Sequence, residues 1–577
     1  MNALKRCWGS PLGHGSIAAA LLIAAIGHWG ASSYLSYMAL LVCVYGIATL
    51  GLNVPAGMLG QLSLGQGAAF GLGAYAAAVL AMDFGHSVIF SLVLATLIGG
   101  VLGVIMAAPS ARLGVMALAI VSLGFTLVMQ QFIILFRSVT GGADGRYGLT
   151  APLLQGQVKM STDQLGVLIV LVLLACYCAH WYFRSSTAGR TLIAIRDNEI
   201  GAASLGISSY AWIVFAYAIG SAIGALAGAC YAFLNVSVNP DSFGTPLSVL
   251  FLLMVIAGGA GTQFGPLVGA FVVGLIPILL SGHPNIQPFL YGAFLILTVR
   301  LMPRGIIRRS AAPVYGYFRG DRSREAAVVP LSGVPDATSP VLEVKSLERH
   351  FAGVTAIKDI SFSLAKGEVV AIIGPNGSGK TTVLNTICGI YPPHGGSVVL
   401  NGRPLAGLSL AKIARAGIGR TFQVPRLFKG LSVKETLELA QQRAHGGIAK
   451  ANLDTIFGFL AQVGLQEQHF QREVRELPHG QLRMLEIALA ALRGADILLL
   501  DECAAGLSAH EMDLMLVLLR KLASTGISII IVEHHLDLVR AIADKVYVLN
   551  LGRMLWSGKP EALEESAEVR DAYLGGI

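Results

Sequence analysis

Charge is scarce in this chain. Only 13% of its 577 residues are Asp, Glu, Lys or Arg, against about a quarter in an ordinary soluble domain. The deficit is uneven: residues 1–310 hold 13 Lys/Arg and 6 Asp/Glu, whereas 340–577 read as a soluble domain. That distribution excludes a single water-soluble globule and implies a membrane half joined to a soluble half. Cysteine is also sparse, seven in all with no C-x-x-C pair, so neither a disulfide nor a metal held by cysteines is expected. No basic stripe with interleaved aromatics accompanies the net charge of +8, and nucleic acid is not an expected partner. Much of the positive charge instead flanks apolar runs. No small-residue cleavage site follows Lys5 and Arg6, so the first apolar run is expected to stay as a helix.

What is present is clearest at Gly374–Thr381, GPNGSGKT, between an apolar β-branched run ending at Ile373 and a helical pattern from Thr382. This is the P-loop pattern in the strand–loop–helix setting it requires. Its glycines let backbone N–H groups and the helix N-terminus wrap a phosphate. Gly374, Pro375, Asn376, Gly377, Ser378, Gly379, Lys380, Thr381 and Thr382 therefore form the candidate cradle for a nucleoside triphosphate, with Lys380 reaching the β/γ-phosphates and Thr381 ligating Mg²⁺.

In the membrane half a span needs about 20 apolar residues. Ten candidates lie near 14–31, 34–53, 58–81, 87–108, 113–136, 162–183, 210–234, 246–260, 266–281 and 287–303. Ten spans place both ends, and the arginines at 112, 184–196 and 300–309, on the cytoplasmic side, as the positive-inside bias requires. Gly220, Gly224 and Gly228 recur every fourth residue, a spacing that lets helix backbones approach closely. Asn53, Gln61, Ser63 and Gln66 sit among glycines and Pro55. A broken or re-entrant helix facing a polar path has this pattern, and so do amides that join helices. The segment 311–340, rich in proline and charge, reads as a cytoplasmic tether.

The soluble half adds further motifs in order. Gln423 lies in Arg420-Thr-Phe-Gln423, and Leu477-Pro-His-Gly-Gln-Leu-Arg483 precedes Asp496-Ile-Leu-Leu-Leu-Asp-Glu502, an apolar strand ending in two carboxylates. Another strand closes on Val532-Glu-His534. Phe351 precedes the P-loop between the short strands predicted at Val341–Val344 and Ile360–Leu364. In this order and spacing the motifs resemble those of ABC-type ATPases, and the chain from 341 to 577 resembles the LivG ATPase of branched-chain amino acid (Liv-type) importers. Residues 1–310 resemble the LivM permease, through Gly51-Leu-Asn-Val, Thr140-Gly-Gly-Ala-Asp-Gly145, Val255–Pro266 and Met302-Pro-Arg-Gly305.

The resemblance implies a polytopic α-helical membrane domain followed by an α/β P-loop ABC ATPase domain. Phe351 would stack on adenine, and Gln423 would contact the γ-phosphate and Mg²⁺. Asp501 would hold Mg²⁺, while Glu502 and His534 would act in hydrolysis. Gly480 and Gln481 would close on ATP held by an opposite subunit. Pro478 and His479 depart from the usual Ser and Gly of that signature, and Cys503 from a usual Pro. Glu199–Gly206 would be the helix that couples permease to ATPase. The implied cofactors are ATP and Mg²⁺. The implied setting is a bacterial inner membrane, with a second LivH-like permease, a LivF-like ATPase and a periplasmic substrate-binding protein. The implied solute is a branched-chain amino acid, with urea, short amides or other amino acids as family alternatives. An ABC exporter would show six spans with long cytoplasmic extensions, which the short loops here oppose, and a membrane-tethered switch would need only one span.

Overall fold

Among the described residues most apolar runs become helices, and the polar, proline-containing stretch that starts at Asn53 becomes a break. The computed structural model describes residues 33–112, 114–154, 158–279, separate positions between 289 and 307, 340–351, 353–442, 449–566 and 568–570. It divides into two units. One takes the chain up to Arg196 and resumes at Ser209, and the other takes Asp197–Ser208 and the C-terminal part.

Among the described residues of the first unit, six helices are long and apolar enough to cross a membrane: Tyr34–Met58, Val88–Ala107, Val115–Leu135, Thr162–Ser185, Ser209–Asn235 and Pro240–Gly258. Shorter apolar helices cover Gln66–Met82 and Gly265–Ile276. The predicted spans at 14–31 and 287–303 fall outside or largely outside the described residues, as does the tether. The predicted span 58–81 starts later than expected, at Gln66. The helix Ser33–Leu52 runs on as a π-helical turn, Asn53–Met58, before an irregular stretch. Pro55 has no N–H to donate, and a widened turn is one way a helix accommodates that loss.

Backbone left unpaired among apolar helices is costly, so the irregular stretch is satisfied by side chains. Tyr217 Oη donates to Leu62 O, Thr126 Oγ1 donates to Leu64 O, and Leu64 N donates to Ser122 Oγ. The flanking amides join helices: Gln66 Nε2 donates to Ala48 O, and Asn53 Nδ2 donates to Thr262 O while its Oδ1 accepts from Gly261 N. The chain thus breaks where the polar residues lie, and two of the four use their amides as cross-links. Close approach at the glycine row is real. A Cβ on Gly220 would meet Pro55 Cδ at 2.8 Å, one on Gly224 would meet Gln66 Nε2 at 2.5 Å, and one on Gly228 would meet Phe70 O at 1.8 Å. Ser209–Asn235 therefore packs closely enough that a side chain at Gly228 would strike backbone and one at Gly220 the ring of Pro55, whereas at Gly224 the Gln66 side chain could move aside.

The second unit is built on a six-stranded sheet in the order Ile418–Arg420, Ile497–Asp501, Ser528–Val532, Val369–Ile373, Lys545–Asn550, Arg553–Gly558. The first five strands are parallel and the last pairs antiparallel. Three central strands are buried throughout, which explains their unbroken apolar sequence, since a parallel sheet is covered on both faces. A four-stranded antiparallel sheet carries Leu342–Phe351 and Val354–Leu364. These strands are longer than predicted, and Phe351 ends the first rather than lying between two short ones. The register shifts between Val344 and Leu347 and again before Arg349. Those irregularities interrupt the alternation by which a strand is read.

Candidate functional site

The register of the parallel sheet brings the motifs to one edge. Asp501 pairs with Val532, and Val532 with Ile372. The residues that follow each strand therefore emerge together at the carboxyl ends, where open α/β sheets place their ligands.

The P-loop follows Val369–Ile373 and leads into the helix Lys380–Ile387. Gly377 and Gly379 have φ of +83° and +100°, a region that favours glycine. Asn376 and Gly377 are exposed at the tip, whereas Gly374 and Ser378 are buried, and Pro375, Thr381 and Thr382 are half-buried. Lys380 curls into the loop, and its Nζ donates to Gly374 O and Pro375 O at 2.8 and 2.9 Å. Burial lowers the pKa of this lysine, while Glu502 and Asp501 pull it back up. Ser378 Oγ is buried without a hydrogen-bond partner. An unmatched buried hydroxyl is costly, and a phosphate oxygen in the loop would complete it.

Asp501 is gripped from two sides. Thr381 Oγ1 donates to its Oδ1 at 3.3 Å, and Arg420 Nη2 to its Oδ2 at 3.4 Å. Burial raises the Asp501 pKa against the pull of Arg420, and the neighbouring Glu502 raises it further. Glu502 has φ +47°, and its carboxylate oxygens face different partners. Gln423 Nε2 donates to Oε2 at 2.7 Å, and His534 Nε2 lies 3.0 Å from Oε1. Burial pushes the Glu502 pKa up, but the Gln423 and His534 contacts and the charge of Lys380 outweigh it, so the pKa lies below the ordinary Glu value. This group is a carboxylate at neutral pH. Two crowded carboxylates beside a threonine hydroxyl are hard oxygen donors, and a divalent cation would relieve their repulsion. The residues present fit Mg²⁺.

The geometry gathers the P-loop, Gln423, Asp501, Glu502 and His534. The remaining predicted residues are engaged elsewhere. Phe351 packs edge-to-face on Tyr391 at 5.0 Å, with the Arg349 guanidinium 4.7 Å from its ring centre. Gly480 is the second residue of the helix His479–Leu492, where a Cβ would meet Glu511 Oε1 at 1.9 Å. Gln481 Nε2 donates to Val463 O at 3.2 Å. Arg420, buried against Asp501, was not singled out by sequence reasoning, although it stands three residues before Gln423.

Two family models match the chain. One, described as the permease component of the branched-chain amino acid transport system, covers residues 34–299, and an ABC transporter model covers 357–505. The high-affinity branched-chain amino acid transport ATP-binding protein LivG of Salmonella typhimurium is 39% identical over 255 residues, 41% of this chain and 99% of that protein. The chain belongs to the branched-chain amino acid ABC transporter family. BraF of Pseudomonas aeruginosa, a transport ATP-binding protein of the same description, is 38% identical over 251 residues, 41% of this chain and 98% of its own. The ADP conformation of an ATP-binding cassette of an ABC transporter is also similar, with 27% identity and a TM-score of 0.37 over 41% of this chain and 100% of that chain. As a member of this family the chain is a permease fused to an ATPase: a multi-pass membrane protein whose soluble unit binds and hydrolyses ATP.

Proposed function

We propose that this chain supplies one permease and one ATPase of an importer that brings branched-chain amino acids across a bacterial inner membrane, with the ATPase unit in the cytoplasm. On this reading residues 1–310 form the permease domain, 311–340 a cytoplasmic linker and 341–577 the ATP-binding domain. The observation that supports it best is the union in one chain of a match to the branched-chain permease model over 34–299 and near full-length similarity to LivG. Because a single chain brings one copy of each part, it works with a second, LivH-like permease, a LivF-like ATPase and a periplasmic substrate-binding protein.

Within the ATPase the P-loop residues from Gly374 to Thr382 hold the phosphates of ATP, with Lys380 turning from its loop carbonyls to the β/γ-phosphates. Phe351 takes adenine. Thr381, Gln423 and Asp501 are the residues that would hold Mg²⁺, which when bound neutralises charge on the β- and γ-phosphates. Glu502 accepts a proton from the attacking water, and the contacts that lower its pKa keep it ionised at neutral pH. Gln423 and His534 fix its two oxygens. Gly480 and Gln481, whose contacts are with Glu511 and Val463, serve the ATP of the opposite ATPase when the two close head to tail. Closure favours one orientation of the permease pair and hydrolysis restores the other, so that ATP drives alternating access through its different affinity for two states.

The test is uptake of labelled leucine, with urea and a short amide in parallel, in cells with and without this gene. Leucine uptake that falls on deletion and is competed by isoleucine and valine supports the reading. Leucine uptake that is unchanged while urea or amide uptake falls assigns the same machine a different solute.

A further inference from the structure

Two opposite charges stand three residues apart, Arg483 and Glu486, inside the otherwise apolar stretch Leu482-Arg-Met-Leu-Glu-Ile-Ala-Leu-Ala-Ala-Leu492. Both are buried, Arg483 at 2% and Glu486 at 5% exposure. Burying a charge pair in a helix core rarely adds stability over apolar residues of the same size, so these side chains call for another explanation. Their partners supply one. Arg483 Nη1 donates to Phe422 O and Nη2 to Gln423 O. Glu486 Oε1 accepts from Phe422 N at 3.3 Å and from Arg426 N at 3.0 Å, and Oε2 lies 3.5 Å from Arg483 Nη1. One turn of one helix thus holds four backbone groups of the 422–426 loop. The held residue Gln423 is the one whose side chain reaches Glu502. The same helix begins at His479 and carries Gly480 and Gln481.

We propose that Arg483 and Glu486 are positioning residues. They tie the loop bearing Gln423 to the helix bearing Gly480 and Gln481, so that a displacement of the helix moves the Gln423 amide relative to the Glu502 carboxylate. Neither side chain touches nucleotide. Their effect on hydrolysis passes through the Phe422 and Gln423 backbone, and the inference rests on the role given above to Gln423 and Glu502.

The experiment compares the purified full chain, wild type, Glu486→Ala and the double variant Arg483→Met/Glu486→Leu, by amide hydrogen exchange at Phe422 and Arg426, by equilibrium binding of ATP, and by hydrolysis in the assembled transporter. The double variant replaces the pair with apolar groups of similar volume, a change that buried ion pairs commonly tolerate, and it decides the matter if the single variant fails to fold. The expected result is ATP affinity within about twofold of wild type, exchange at Phe422 and Arg426 at least ~10-fold faster, and kcat at least ~10-fold lower, because the lost interaction matters only when Gln423 must be placed. Unchanged exchange at these two amides, or unchanged kcat in a folded double variant, overturns the proposal. A wild-type chain that hydrolyses no ATP with its partners present would instead refute the reading of the site, and the exchange result would still judge the tie itself.

Discussion

Glu502→Gln isolates the proton-accepting step. The replacement keeps the side chain's length and volume but turns one carboxylate oxygen into an amide NH₂. In the wild-type site Oε2 accepts from Gln423 Nε2 at 2.7 Å, and Oε1 faces His534 Nε2 at 3.0 Å. An amide can accept from Gln423 and donate to His534 Nε2 if the imidazole moves its proton to Nδ1; in the other tautomer one contact is lost or Gln423 flips its amide. The larger effect is chemical, since the amide cannot take a proton from water. Positioned general bases contribute about 10²- to 10⁴-fold, which corresponds to roughly 2.7–5.5 kcal/mol of barrier. Lys380, Ser378 and the loop backbone are untouched, so ATP binding should stay within about threefold of wild type, or tighten as a like charge leaves the phosphates. Single-turnover hydrolysis of labelled ATP gives the first quantity and equilibrium binding the second. Hydrolysis within about threefold of wild type, with binding intact, would refute the assignment of Glu502 as the base.

Three further expectations come from other parts of the molecule. Lys380→Ala should weaken ATP binding by roughly 10- to 100-fold, from the ~1.5–3 kcal/mol of a charge-assisted hydrogen bond, as measured by fluorescent-nucleotide titration; unchanged affinity would remove the lysine from the phosphate site. Gly228→Val places side-chain atoms where a Cβ alone meets Phe70 O at 1.8 Å, and backbone cannot yield as a side chain can. That variant should lose monodisperse protein in detergent by size-exclusion chromatography, whereas Gly124→Ala, with no atom within 4 Å of its Cβ, should not. Glu486 should make stability depend on pH. Burial raises its pKa from 4.5 to about 7, against hydrogen bonds from Arg426 and Phe422 and the charge of Arg483. Between those values the folded chain keeps a proton that the unfolded chain releases, so stability is highest below the window and falls as pH rises through it towards 7. The thermal midpoint of the wild type should fall across that range more than that of Glu486→Gln, and parallel curves would contradict the shift.

The legible parts of this chain are those whose physics is local. The P-loop could be read because a β-branched run, a glycine loop and a helix follow one another within a few residues, and the two carboxylates of Asp501 and Glu502 because they end an unbroken apolar strand. The row Gly220, Gly224, Gly228 announced close packing through spacing alone. What was hidden depends on partners distant in sequence. The start of the helix at Gln66 rather than 58 is set by a proline-bearing π-turn and by hydroxyls from Tyr217, Ser122 and Thr126 that make an irregular backbone tolerable there. The length of Leu342–Phe351 was masked by register shifts. Arg420 gave a residue type but no sign that it meets Asp501. Arg483 and Glu486 did leave a trace, two charges in an apolar helix, whose meaning required the backbone of 422–426 to be in place.

The most direct test of the whole account is accumulation of labelled leucine by vesicles in which the full chain is reconstituted with its co-purifying subunits, with substrate-binding protein and leucine on one side and ATP with Mg²⁺ on the other. Accumulation should require ATP and the binding protein and stop with Glu502→Gln. Leucine that equilibrates equally well without ATP, or ATP hydrolysis in the complete assembly that moves neither leucine, isoleucine nor valine, would contradict it.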